Sequence, residues 1–146
     1  MSNHIAGKES AFDKVRVLNE HEHGNQYTYP TLADGVTLTS HANDWELGVI
    51  VEIVPADAIT SHFDIHEVFI EDVDTTDKTY ELILYSGAGD VEIGRLRFNS
   101  GTNKGGIPNG TMMTPIIEAN SRIRAQLAIE DGGSKTAKVS IRYHIY

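Results

Sequence analysis

Apolar and polar side chains alternate along most of this chain, and the alternation is cleanest at its end. From Lys135 onward, Ala137, Val139, Ile141, Tyr143 and Ile145 alternate with Thr136, Lys138, Ser140, Arg142 and His144. Successive strand side chains point to opposite faces, so this segment reads as a β-strand with one apolar and one polar face. Because the pattern runs to Tyr146, it predicts a C-terminus tied into a sheet. Earlier segments repeat the theme. Val36–Thr39 is a short β-rich run, and Trp45, Leu47, Val49, Val51 and Ile53 alternate with their neighbours until Pro55, which cannot donate to a ladder. Phe63–Ile70 follows, with a phase change near His66-Glu67 that marks a bulge. Thr79–Tyr85 and Val91–Phe98 flank a Gly87–Asp90 turn.

Asn99–Gly110 carries four glycines and Pro108, and predicts a long exposed loop. Thr111–Ile117, broken by Pro115, fits an edge strand or a bent segment. Ser121–Ile129 alternates again, and Glu130–Ser134 contains an Asp-Gly pair that predicts a hairpin into the final strand. Residues 1–35 are the least regular. Asn19–Gln26 is polar without a period, while Asp13–Leu18 fits either a helix start or a short strand. With no convincing internal helix and no repeat, about eight strands at these spacings predict an all-β fold, a jelly-roll-like antiparallel β-sandwich. The sandwich is expected over residues 36–146, preceded by an extended, irregular N-terminal arm over residues 1–35.

Composition narrows the partners. The 146 residues fit one domain. The net charge is −9, from 21 acidic and 12 basic residues, which disfavours binding to phosphate backbones. The nearest thing to a basic cluster is Arg95, Arg97, Arg122, Arg124, Lys135, Lys138 and Arg142, in the C-terminal half. Cysteine is absent, so no disulfide framework or thiolate metal site is expected. The start, Met1–Ile5, lacks a basic and then apolar leader, and no apolar run approaches the roughly 20 residues of a membrane span. Neither nucleic acid nor membrane is an expected partner.

Residues that could carry chemistry are few. His21 with His23, and His62 with His66, share a strand face at spacings that could hold a metal, but neither pair has a third ligand at a recognisable distance. The acidic turn Glu71–Asp77 departs from a calcium loop, with threonine at the fifth position and aspartate at the sixth. Gly87-Ala88-Gly89 leads into a strand rather than the helix a dinucleotide fingerprint requires. No nucleophile elbow or phosphate-binding loop is present. The expectation is a protein that is not an enzyme, with no catalytic, cofactor-binding or metal-ligating residues and no cofactor. Trp45 is expected in the core or at a subunit interface, and Tyr80, Tyr85, Tyr143 and Tyr146 in cross-strand packing.

The stretch Tyr80-Glu81-Leu82-Ile83-Leu84-Tyr85-Ser86-Gly87-Ala88-Gly89-Asp90-Val91-Glu92-Ile93-Gly94-Arg95-Leu96-Arg97-Phe98 resembles a segment common in phage virion structural proteins. Thr114–Ala125 and the ending Ile141–Tyr146 fit the same pattern, while residues 1–75 are unmatched. The resemblance implies a jelly-roll capsid decoration (cement) protein, made in the host cytoplasm and carried on the capsid surface of a bacteriophage virion. It also implies a homotrimer whose partner is the major capsid protein, and it offers no catalytic residues. Two other readings stand beside it: a tail or neck component such as an adaptor or fibre base, and a carbohydrate-binding module using the Asn99–Gly110 loop.

Overall fold

A computed structural model describes residues 25–107 and 111–146. The eight strands of these residues are β1 (Gln26–Tyr29), β2 (Val36–Thr39), β3 (Val51–Val54), β4 (Phe63–Val73), β5 (Thr79–Ser86), β6 (Val91–Asn99), β7 (Ile123–Ile129) and β8 (Thr136–Ile145). A single 3-10 turn, Leu32–Asp34, is the helical element among the described residues. No helix there is long and apolar enough to cross a membrane. In sheet A, β8 pairs antiparallel with β4 on one side and with both β1 and β2 on the other. Sheet B has the order β3-β7-β5-β6, also antiparallel.

From β2 onward, the β2–β3, β3–β4, β4–β5 and β7–β8 connections cross from one sheet to the other, while β5–β6 is a hairpin and β6–β7 begins and ends in sheet B. After β6 the chain returns to sheet A, where isolated bridges Ile70↔Ile107, Glu67↔Thr111 and Phe63↔Ile117 lay it beside the outer edge of β4. The described part of this irregular strap, residues 111–117, lies where a further strand would. The connectivity is that of a jelly roll, and the expected all-β antiparallel sandwich is the observed fold.

Alternation explains which faces meet. Leu82, Leu84, Phe98, Leu127 and Ile129 from sheet B pack with Leu38, Phe63, Ile65, Val68, Ile70, Val139 and Ile141 from sheet A. Tyr80 stacks on Phe98 with ring centroids 5.0 Å apart. The expected bulge is present, because the β4–β8 register shifts between Ile65 and Glu67. It switches which parity of residue faces inward, so that Phe63 and Ile65 before it and Val68 and Ile70 after it all reach the core. Glycines admit close approaches at both open sides of the sandwich, by backbone at one and by a side chain at the other. At one, a Cβ on Gly48 would overlap the carbonyl oxygen of Thr39; at the other, a Cβ on Gly94 in β6 would collide with Met112 of the strap.

Two expectations fail locally, one from alternation and one from turn chemistry. The ten-residue strand from Trp45 shrinks to Val51–Val54. Upstream, two backbone hydrogen bonds join the chain to β7, Trp45 N–H to Ile129 O (2.8 Å) and Gly48 N–H to Leu127 O (2.9 Å). Trp45 itself takes a left-handed φ of 56° and lies outside the core, 37% exposed. The Asp-Gly turn after β7 does not make a hairpin, because β7 and β8 belong to different sheets. That turn instead binds the chain that follows β2. Gly133 and Ser134 N–H groups donate to Ala42 and His41 carbonyls, and Gly132, at φ 65°, leaves no room for a Cβ beside Ala42 O.

The expected arm is only partly described. Its final portion contains β1, which pairs with the end of β8, and Asp13–Leu18 lies outside the described residues. The C-terminus is tied in as expected: Ile145 N–H donates to Asn25 O and Tyr146 N–H to His62 O.

Candidate functional site

The most concentrated group of chemistry-bearing side chains lies where β4 begins and β8 ends. Asp64 and His144 face each other across the β4–β8 register. His66 stands two residues beyond Asp64 and is the unpaired residue of the bulge. Asp64 Oδ1 lies 2.8 Å from His66 Nε2 and 3.4 Å from His144 Nδ1. The imidazole rings tilt by 33° with centroids 5.4 Å apart. One candidate ligand atom from each of the three residues falls within 4.8 Å of the others. Tyr146 donates its hydroxyl to the other carboxylate oxygen, Oδ2, at 2.7 Å, and its ring meets His144 edge-on at 4.7 Å. The carboxylate is thereby turned so that Oδ1 faces both imidazoles.

Burial raises the stakes. His144 is 2% exposed although it stands on the polar face of β8. Asp64 Oδ1 is fully buried and receives no aligned hydrogen bond, despite the nearby nitrogens. His66, with its side chain 32% exposed, leaves the cluster open to solvent on one side. Two imidazoles and a carboxylate are donors suited to a divalent transition metal.

The sequence placed His66 with a different partner. His62 is exposed and outside the cluster, while His21 and His23 lie outside the described residues. The alternation already put Asp64, His66 and His144 on polar strand faces. What it lacked was the pairing of β4 with β8, which brings residues far apart in sequence to one spot.

The basic residues are spent on internal pairing across the outer face of sheet B. Arg95 reaches Glu92 at 2.6 Å and Glu81 at 3.4 Å, and Arg97 reaches Glu81 at 3.3 Å. The Arg97 guanidinium also lies over the Trp45 ring, 4.1 Å from its centroid. Arg124 is hydrogen-bonded to Asp90, with Arg122 alongside at 3.6 Å. The Arg124 hydrogen bond holds the Asp90 carboxyl below its ordinary range, assisted by the charges of Arg124 and Arg122. Tyr85 donates to Gln126 Oε1, and Gln126 Nε2 donates to Gly48 O. Lys138 donates to Ala33 O and Arg142 approaches Glu67 at 3.4 Å.

The glycine-rich loop is partly anchored. Ser100 Oγ donates to Thr75 O, Gly101 N–H to Asn99 Oδ1 and Ile107 N–H to Ile70 O. The acidic turn is built into the same corner, with Val73 N–H donating to Lys104 O and Asp77 N–H to Gly101 O.

No protein-family description and no curated protein sequence matches this chain. Among solved structures it is similar to a chain of infectious bursal disease virus Gt strain, with 14% identity and a TM-score of 0.44, over 83% of this chain and 33% of that one. It is also similar to the VP2 subviral particle of that virus, with 14% identity and a TM-score of 0.35, over 84% and 30%. This chain therefore spans about a third of the length of those viral chains. The likeness is one of fold.

Proposed function

We propose that this chain is a structural protein of a virus particle, and specifically a decoration protein that binds the outer surface of a bacteriophage head. In this reading it acts as a homotrimer, with the major capsid protein as its partner. The observation that carries the reading is the side of the sandwich where β4 and β6 are the outermost strands. There, Met113 and Ile116 on the strap are 84% and 59% exposed, and Val91 at the start of β6 is 64% exposed. Large apolar side chains exposed on the strap that covers the β4 edge, and at the start of the outermost strand β6, suit docking against another protein surface. The segments that resemble phage virion proteins contribute β5, β6, part of the strap and the end of β8. A net charge of −9 keeps such a chain soluble until it meets an assembled shell, where several copies acting together multiply weak contacts.

The test is to mix the purified chain with heads that lack it, measure its mass by sedimentation and locate it by electron microscopy. The expected results are a species near three times 16.1 kDa and saturable binding over the head surface. The Met113→Glu/Ile116→Glu variant alters only exposed side chains, so it should keep the fold and lose the binding. A monomer without affinity for heads refutes the reading, and labelling confined to the neck or tail refutes the head assignment.

A further inference from the structure

We propose that Asp64, His66 and His144 bind one divalent transition-metal ion of the zinc type, and that the ion staples the end of β8 to the start of β4. The argument begins with spacing. Tetrahedral zinc with bonds of about 2.0–2.2 Å holds its ligand atoms roughly 3.3 Å apart. Here Asp64 Oδ1 stands 2.8 and 3.4 Å from the two imidazole nitrogens, and all three ligand atoms fall within 4.8 Å of one another. Small rotations of His66, the least buried of the three, bring the set to that spacing.

The second observation is the state of the carboxylate. Asp64 Oδ1 is buried without an aligned hydrogen bond, which is costly for a charged oxygen unless a cation neutralises it. Its partner oxygen is held by the Tyr146 hydroxyl at 2.7 Å. An outer hydrogen bond of this kind orients a ligating carboxylate and strengthens the site. The donor set selects the ion, since two imidazoles and one carboxylate favour zinc, cobalt or nickel over calcium or magnesium, which demand oxygen. Three protein ligands leave the fourth position to water, reached past His66.

The site also has a place in the fold. Asp64 and His144 belong to the two strands that share the longest register in the molecule, and β8 is the strand on which the rest of sheet A depends. An ion here fixes the end of β8 against the start of β4.

The experiment uses the full chain stripped with chelator and titrated with Zn²⁺ by calorimetry, with Co²⁺ as a spectroscopic probe and Ca²⁺ as a control. One equivalent of zinc should bind, the thermal midpoint should rise by several degrees, and cobalt should give the intense visible bands of a four-coordinate site. Calcium should do none of this. His66→Ala, at a partly exposed position, should fold and bind zinc at least 100-fold more weakly. Tyr146→Phe keeps the ring and removes the hydroxyl, and should weaken binding by about tenfold. Absence of stoichiometric zinc binding overturns the proposal, as does binding that survives both His66→Ala and Asp64→Asn, which would place the ion on other histidines. The cobalt spectrum of the unaltered chain decides the matter even where a variant fails to fold.

Discussion

Met112 of the strap reaches across to β6, and the contact can be weighed by a double-mutant cycle with Gly94. Met112 is 6% exposed, and its Cγ lies 2.8 Å from where a Cβ on Gly94 would stand, with Sδ nearer still. Gly94→Ala forces the thioether aside at about 1–3 kcal/mol, less about 0.5–1 kcal/mol regained because alanine loses less chain entropy on folding than glycine. Met112→Ala removes a buried side chain at the rim of the core, near the lower end of the range for such truncations, about 2–3 kcal/mol. In the double variant the new methyl enters the space that the thioether vacated. The loss should therefore not exceed that of Met112→Ala alone, giving a favourable coupling of about 1.5–2 kcal/mol, well beyond the roughly 0.5 kcal/mol scatter of independent sites. With about 2.1 cal/mol/K of unfolding entropy per residue over 146 residues, each kcal/mol corresponds to about 3 °C. Urea and thermal unfolding followed by circular dichroism measure all four corners. Losses that simply add would show that the strap does not pack on β6, and that this side of the sandwich is closed some other way.

Two further outcomes follow from ionisable groups. The Asp90 carboxyl is held low first by its hydrogen bond from Arg124, so its folded value lies below its unfolded one. Its stabilising contribution is present above about pH 4 and disappears as pH falls through the folded value. Melting temperature plotted against pH should therefore fall less steeply below about pH 4 in Asp90→Asn than in the unaltered chain; identical slopes would refute the pairing. Tyr80 is pushed up to about 12, chiefly by burial and then by the charge of Asp74. A raised value stabilises the fold fully below the ordinary tyrosine value of about 10 and loses that contribution as pH rises toward the folded value. Phenolate absorbance should show a late-titrating tyrosine that vanishes in Tyr80→Phe; complete titration near pH 10 with the fold intact would refute it.

How much of this could be read from the sequence depends on which interactions set each element. Period-two alternation found β2 and β4 to β8, because each buries one face and the pattern records that burial directly. The bulge was legible for the same reason, since His66-Glu67 is where the inward parity of β4 changes. Trp45–Ile50 misled because its alternating apolar residues bury no common face: Trp45 lies against Arg97 and Val49 is 76% exposed. Asp131-Gly132 misled because a tight turn reports a reversal of the chain but not which sheet receives it. β1 left almost no trace, because none of its four residues is fully buried and it is held by backbone pairing to β8. The Asp64–His66–His144 cluster needed the β4–β8 register, which is a property of the folded sheet.

That register also shows why the end of the chain matters so much. Within sheet A, β1, β2 and β4 each pair with β8 and none pairs with another. The sheet therefore cannot assemble until β8 is in place, whereas sheet B has its own hairpin, β5–β6, built from contacts close in sequence. Closure then depends on interactions at both ends of β8. At its start, the Gly132–Ser134 turn clasps His41 and Ala42; at its finish, Tyr146 backs Asp64 against His66 and His144. A late strand with a clasp at each end is where a bound ion would have most leverage, since it would act on the step that completes the sheet. It would also leave the opposite edge of β4, with its strap and exposed Met113 and Ile116, free to meet a neighbour.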